Sequence, residues 1–141
     1  MLDLTGMAVA DLFCGTGAMG IEALSRGAGS VVFVDSDGVA VETVKKNLAG
    51  VGLDGASARV VRSDVLRWLS QSATAEFDLA LVDPPYAFSD WEDLLEALPA
   101  EVAVLESDRE IDVPTRFKVI KTKRYGGTLV TVVRAAGTAV R

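Results

Sequence analysis

The chain has 141 residues, half of them apolar, with 14 basic and 20 acidic side chains and a formal net charge of −6. That length sets one domain with enough apolar mass for a core, and no apolar run is long enough to span a bilayer. There is no histidine and a single cysteine, Cys14. These counts remove internal disulfides, Ser-His-Asp triads and the usual zinc ligand sets; with no acidic EF-hand loop either, no metal is expected.

In chain order, "MAVADLF" is apolar enough for a buried central strand. A glycine turn follows, then a helix in "AMGIEALSRG", with Glu22 and Arg26 at i,i+4 and Gly27 suited to its C-terminal cap. "SVVFVD" is a second strand. Asp37 can cap the next helix, whose Val41, Val44, Leu48 and Val51 fall on one face. "SARVVR" is a third strand, and "SDVLRWLS" opens a short helix with Asp64 near its cap.

"FDLALVD" is the fourth strand. "SDWEDLLEALP" has a capping-box start in Ser89 and Glu92, an apolar stripe of Trp91, Leu94, Leu95 and Leu98, and a stop at Pro99. "EVAVLE" is the fifth strand. "RFKVIKTKRYGGTLVTVVR" is two strand-like runs around Gly-Gly and predicts an antiparallel hairpin, and "AAGTAVR" reads as a frayed tail. The class is α/β, a doubly wound and mostly parallel sheet ending in an antiparallel hairpin. Such sheets bind ligands beyond the C-terminal ends of their strands. Asp11, Asp35, Asp64, Asp83 and Glu106 all lie at or near those ends.

Gly15, Gly17 and Gly20 have G-x-G-x-x-G spacing between a strand and a helix, and Asp35 stands fifteen residues later at the end of the second strand. Up to this point a nicotinamide dinucleotide and S-adenosylmethionine fit equally well, since both offer ribose hydroxyls to Asp35. Asp11 tips the balance. A pyrophosphate needs the turn and helix N-terminus as a positive cradle, which a carboxylate opposes. A sulfonium and an amino group prefer such an acid. Asp11 also reads as a structural acid that hydrogen-bonds the turn amides, and the two roles are compatible. "DPPY", residues 83–86, is the second discriminator. Two prolines stiffen the loop and leave carbonyls free, and an acid, exposed carbonyls and a ring suit a planar substrate with an exocyclic amine. The plain alternative is an ordinary proline-rich turn.

Five of the 14 basic residues lie in "RFKVIKTKR": Arg116, Lys118, Lys121, Lys123 and Arg124. Taken alone they read as the solvated face of a strand. Strict alternation would put Lys118 on the opposite face from Lys121 and Lys123.

"DLFCGTGAMGIEALSRGA", "VDPPY" and the late "RYGGT" together resemble the RsmD family, from about Val9 to about Val133. That resemblance implies a Rossmann-like class I methyltransferase fold and S-adenosylmethionine-dependent transfer to a guanine N2 in small-subunit (16S) ribosomal RNA, with ribosomal RNA or the small ribosomal subunit as partner. It implies a cytoplasmic enzyme, and "MLDLTGMAVADLF" lacks a secretory signal pattern. Family members carry an N-terminal segment before the first strand. Here only Met1 to Met7 precede it, so residues 1–141 are expected to be a single catalytic domain lacking that segment.

Within this frame Asp83, Pro84, Pro85 and Tyr86 are the expected catalytic residues. Asp11, Phe13, Cys14, Gly15, Thr16, Gly17, Asp35, Ser36, Asp64 and Val65 are the expected cofactor-binding residues. Asp35 takes the ribose, Asp64 the adenine amino group and the Val65 amide faces the ring, while a plain helix cap is the other reading of Asp64. Lys121, Lys123, Arg124 and Tyr125 are expected to touch RNA. Cys14 has no nucleophilic role, since no base stands near it in sequence. Three competing readings stay open: a nicotinamide-dependent oxidoreductase, a non-enzymatic RNA- or protein-binding module, and a methyltransferase acting on adenine N6 or a protein amide.

Overall fold

A computed structural model of the chain describes residues 3–71 and 76–138. Seven strands form one sheet: β1 (Ala8–Leu12), β2 (Ser30–Asp35), β3 (Ala58–Arg62), β4 (Phe77–Val82), β5 (Ala100–Ser107), β6 (Phe117–Tyr125) and β7 (Thr128–Ala135). Four helices connect them: α1 (Ala18–Ser25), α2 (Gly38–Gly50), α3 (Val65–Gln71) and α4 (Trp91–Ala97). The spatial order is β3-β2-β1-β4-β5-β7-β6. The first five strands in sequence are mutually parallel, and β7 pairs antiparallel with both β5 and β6. This is the doubly wound sheet with a terminal hairpin that the pattern predicts.

β1 is central, with Val9, Ala10 and Leu12 fully buried. On one face of the sheet, α3 and α4 bring Trp68, Leu69, Trp91, Leu94, Leu95 and Leu98 against Leu105, Phe117 and Val133. On the other, α1 and α2 pack Ala23, Leu24, Val44 and Leu48 around Phe33 and Val31. Val102, Val104, Val130 and Val132 of β5 and β7 stay only half-buried.

Three local expectations need correction. Val51 is not on the apolar face of α2: the helix ends before it, and Val51 lies at the cap, 61% exposed. The Ser89/Glu92 capping box does not form. The N-cap of α4 is Asp90, with no side-chain cap bond, so Glu92 stands one position too early to reach back. Phe88 N–H instead donates to the Pro85 carbonyl (2.9 Å) and its ring meets Trp91 edge-on (5.4 Å), which sets where α4 begins. The third correction lies in β6, where the register slips between Val119 and Lys121. The tail forms a single 3-10 turn over Ala136–Thr138, and residues 139–141 lie outside the described residues.

No helix among the described residues is long and apolar enough to cross a membrane. The described residues hold no group of three or more His, Cys, Asp or Glu side chains able to hold a metal ion.

Candidate functional site: the strand tips of β1, β2 and β4

The glycine turn is built by backbone that only small residues allow. Gly15 and Gly17 have φ of 55° and 80°, and Gly17 caps α1. A Cβ on Gly20 would stand 2.4 Å from Phe33 Cε2, so glycine is what lets α1 settle onto β2. Phe13, at φ 57°, is a non-glycine in the left-handed region. Such strain persists where surroundings impose it. Here the Phe13 ring is held edge-on to Phe88 at 5.2 Å, joining the glycine turn to the loop after β4.

The carboxylates at the tips of β1–β3 are tied to backbone. Gly20 N–H donates to Asp11 Oδ2 (3.0 Å), the structural role expected of Asp11. Gly15 and Asp37 N–H donate to the two oxygens of Asp35 (both 2.9 Å). Each oxygen keeps a second lone pair, so Asp35 can still accept from hydroxyls. Arg67 N–H donates to Asp64 Oδ2 (3.0 Å), making Asp64 the cap of α3. Val65 buries its side chain in the core beneath that cap. Thr16 O accepts from Asn47 Nδ2 (2.9 Å), pinning the turn to α2, and Ser36 is exposed, its carbonyl facing Arg62 Nε at 3.5 Å.

This cluster is strongly anionic. Asp11 is pushed up to about 7, first by burial and then by Asp83 and Asp35, against the lowering effect of its bond from Gly20. Cys14 is buried and its thiol is pushed up to about 12 by burial and by Asp11 and Asp35, so it is no nucleophile at neutral pH.

Leu12 of β1 pairs with Val82 of β4. The next residue on each strand is Phe13 and Asp83, so the glycine turn and the DPPY loop leave the sheet side by side. Asp83, Pro85 and Tyr86 are exposed and Pro84 is buried. The Tyr86 hydroxyl lies 3.3 Å from Thr128 Oγ1 at the hairpin tip, and the Tyr86 carbonyl accepts from Arg109 Nη2 (3.3 Å). Glu106, at the end of β5, stands beside Asp83, since each follows a residue of the Val82–Leu105 pair; burial first, then the Asp83 carboxylate, raise its pKa. Glu106 was legible as a strand-end acid, but nothing in the sequence pairs it with Asp83. Phe88 and Arg109 carry no sequence signal of their own, and Thr128 carries one only as part of "RYGGT".

The expected RNA-contact residues divide. In an antiparallel pair, residues directly opposite share a face. Lys121, Lys123 and Tyr125 oppose Val132, Val130 and Thr128, whereas Arg124 opposes Leu129, which is buried on the α4 side. Arg124 is therefore on the other face. Lys118 opposes Arg134, and the slip at Ile120 moves it onto the same face as Lys121 and Lys123, against simple alternation. Arg116 is used structurally: its Nη1 donates to the carbonyls of Leu95 and Glu96 at the end of α4 (2.9 and 2.7 Å).

A hollow of about 690 Å³ lies at the other end of the sheet against Phe77, Pro99 and Arg116. That is the amino-terminal edge of the parallel strands, opposite to where doubly wound sheets hold ligands.

Strand order, glycine turn and acidic strand tips define a class I methyltransferase fold. The family described as Conserved hypothetical protein 95 matches residues 1–134, and the chain belongs to this family, the RsmD family. YlbH of Bacillus subtilis is 37% identical over 139 residues, covering 90% of this chain and 75% of YlbH. "Ribosomal RNA small subunit methyltransferase D" of Escherichia coli K12 is 35% identical over 126 residues, covering 82% of this chain and 62% of that protein. Among solved structures, a conserved hypothetical protein of Streptococcus pyogenes superimposes with a TM-score of 0.83 at 30% identity, covering 94% of this chain and 88% of that one.

Proposed function

We propose that the protein transfers a methyl group from S-adenosylmethionine to the exocyclic N2 of a guanine in 16S ribosomal RNA. The observation that carries this reading is the adjacency of Phe13 and Asp83, set by the Leu12–Val82 pairing. It sets the DPPY loop, read here as amine-binding, beside the acid-lined glycine turn. The name of the Escherichia coli relative supports small-subunit ribosomal RNA as the substrate class, and the family resemblance implies guanine N2 as the position.

The donor set fits a cationic cofactor. Asp83 and Asp35 raise the cost of the negative charge on Asp11. A sulfonium relieves that cost, whereas a pyrophosphate adds to it. Asp35 would hold the ribose hydroxyls, Asp64 the adenine amino group, and the backbone from Phe13 to Gly17 the methionine part. When bound, the cofactor supplies an already activated methyl, so the chain contributes chiefly positioning and electrostatics. Asp83 and the Pro84 carbonyl accept the two N–H bonds of the guanine amine, which turns the nitrogen lone pair outward for in-line attack. Tyr86 stacks on the base, as flipped or unpaired bases require. The proton released by nitrogen passes to Asp83, beside which Glu106 stands at the next strand tip.

The deciding experiment is methyl transfer to undermodified small ribosomal subunits and their naked RNA, followed by nucleoside analysis. N2-methylguanosine is expected. N6-methyladenosine or a methylated protein amide would redirect the substrate assignment. Calorimetry with S-adenosylhomocysteine and NADH is expected to show binding of the former alone, and the reverse would sink the reading.

A further inference from the structure

We infer that Lys118, Lys121 and Lys123 form a one-sided track for the RNA backbone, leading along β6 to Tyr86, and that the bulge at Ile120 exists to make it. This rests on the proposed RNA substrate. The register is the first support. Lys118, Lys121, Lys123 and Tyr125 oppose Arg134, Val132, Val130 and Thr128 in turn, so all four sit on the face of the hairpin that α4 does not cover. A regular strand would have sent Lys118 to the opposite face from the other two lysines. Lys123 Nζ lies 5.0 Å from the centre of the Tyr125 ring, independent confirmation that these two share a side.

The second support is where the row ends. Thr128, opposite Tyr125, meets the Tyr86 hydroxyl at 3.3 Å. A strand that gives up one base to Tyr86 therefore continues over Tyr125, an aromatic platform 57% exposed, and onto the lysines. The row runs for about 20 Å at ~3.4 Å per residue. All three lysines are exposed, and among the described residues none is held in an ion pair. Arg134 adds a fourth charge at the far end, and Glu106 marks the near end beside Asp83.

Lysines on an edge strand also prevent edge-to-edge aggregation. That task needs charge on the strand but not on one face, and it gives no reason for a bulge that leaves Ile120 half exposed. The one-sidedness is what a linear polyanion requires.

The test is binding of undermethylated small-subunit rRNA across a salt series, with S-adenosylhomocysteine affinity measured in parallel. Replacing Lys118, Lys121 and Lys123 together by alanine should lower the slope of log K against log salt by about 2–3, leave S-adenosylhomocysteine affinity unchanged, and be rescued by arginine at the same positions. Arg124→Ala should change the slope by less than any single lysine. Exchanging Lys118 and Val119 (Lys118→Val with Val119→Lys) keeps every charge but moves one lysine to the opposite face, and should cost part of the slope as well; if that variant does not fold, the alanine set still decides. An unchanged slope in the triple variant, with the unaltered chain still methylating RNA, would overturn the track alone. Absence of RNA binding and transfer by the unaltered chain would remove both the track and the proposed substrate.

Discussion

Around the tips of β1, β2 and β3, Asp11, Asp35 and Asp64 each accept a backbone N–H, and the turn between them is closed by glycines and pinned through Asn47. Around the tips of β4 and β6, Asp83, Tyr86 and Tyr125 stand exposed, held by a loop, one hydroxyl contact and a hairpin turn. The first half is preorganised for a small ligand of fixed shape, where rigidity in advance saves ordering entropy on binding. The second half is open, as the proposed function requires for a large polymer that must bring one base out of its stack. Stability and chemistry should therefore separate along the sheet, and substitutions can force or refute that separation.

The largest effect is expected at the open half and in activity only. Asp83→Ala should reduce methyl transfer by about 10²–10³-fold while leaving the unfolding midpoint and S-adenosylhomocysteine affinity nearly as they were. A matching loss of cofactor affinity would show that the two halves are one site.

At the closed half, Gly20→Ala should act through stability. Its Cβ would press on a Phe33 ring that is itself fully buried, and overpacking of this kind costs about 1–3 kcal/mol. Denaturant unfolding measures it. Asp37 caps α2 through Val39 N–H (3.0 Å), so Asp37→Ala should cost ~1 kcal/mol by the same assay.

Asp11 makes a pH-dependent prediction. Its folded pKa, about 7, stands above the ordinary 3.8. Between those values the native chain keeps a proton that the unfolded chain has lost, so stability falls as pH rises from about 4 to about 7 and levels off above. Asp11→Asn can still accept from Gly20 and should flatten that slope in thermal melts. The affinity for S-adenosylmethionine should rise over the same range more steeply than that for S-adenosylhomocysteine, whose sulfur is uncharged. The smallest effect belongs to Tyr86→Phe. Loss of one exposed hydroxyl contact at 3.3 Å should shift stability by less than ~0.5 kcal/mol, with the ring still able to stack.

Legibility in the sequence follows the same division. The glycine turn, Asp35, the DPPY loop and all seven strands carry local signals: period, punctuation and strand-end acids. The Asp83–Glu106 pair carries none, because 23 residues separate the two and only the parallel register of β4 and β5 brings them together. The bulge at Ile120 was hidden because no glycine or proline marks it; its one trace in "KVIKTK" is the adjacent Val119 and Ile120, which set Lys118 out of phase with Lys121 and Lys123. The α4 cap was misread because Ser89 and Glu92 match a motif whose spacing starts one residue too soon, while the Phe88–Trp91 ring contact fixes the true start.

One chain of rings has an optical consequence. Phe13, at the start of the glycine turn, meets Phe88, and Phe88 meets Trp91, which is buried at the head of α4. The other tryptophan, Trp68, packs against Phe77 in a separate part of the core. Any ligand that moves the Phe13 backbone out of its left-handed conformation displaces the whole stack, so the emission of Trp91 is a native fluorophore for occupancy of the glycine turn, with Trp91→Phe as its silent control.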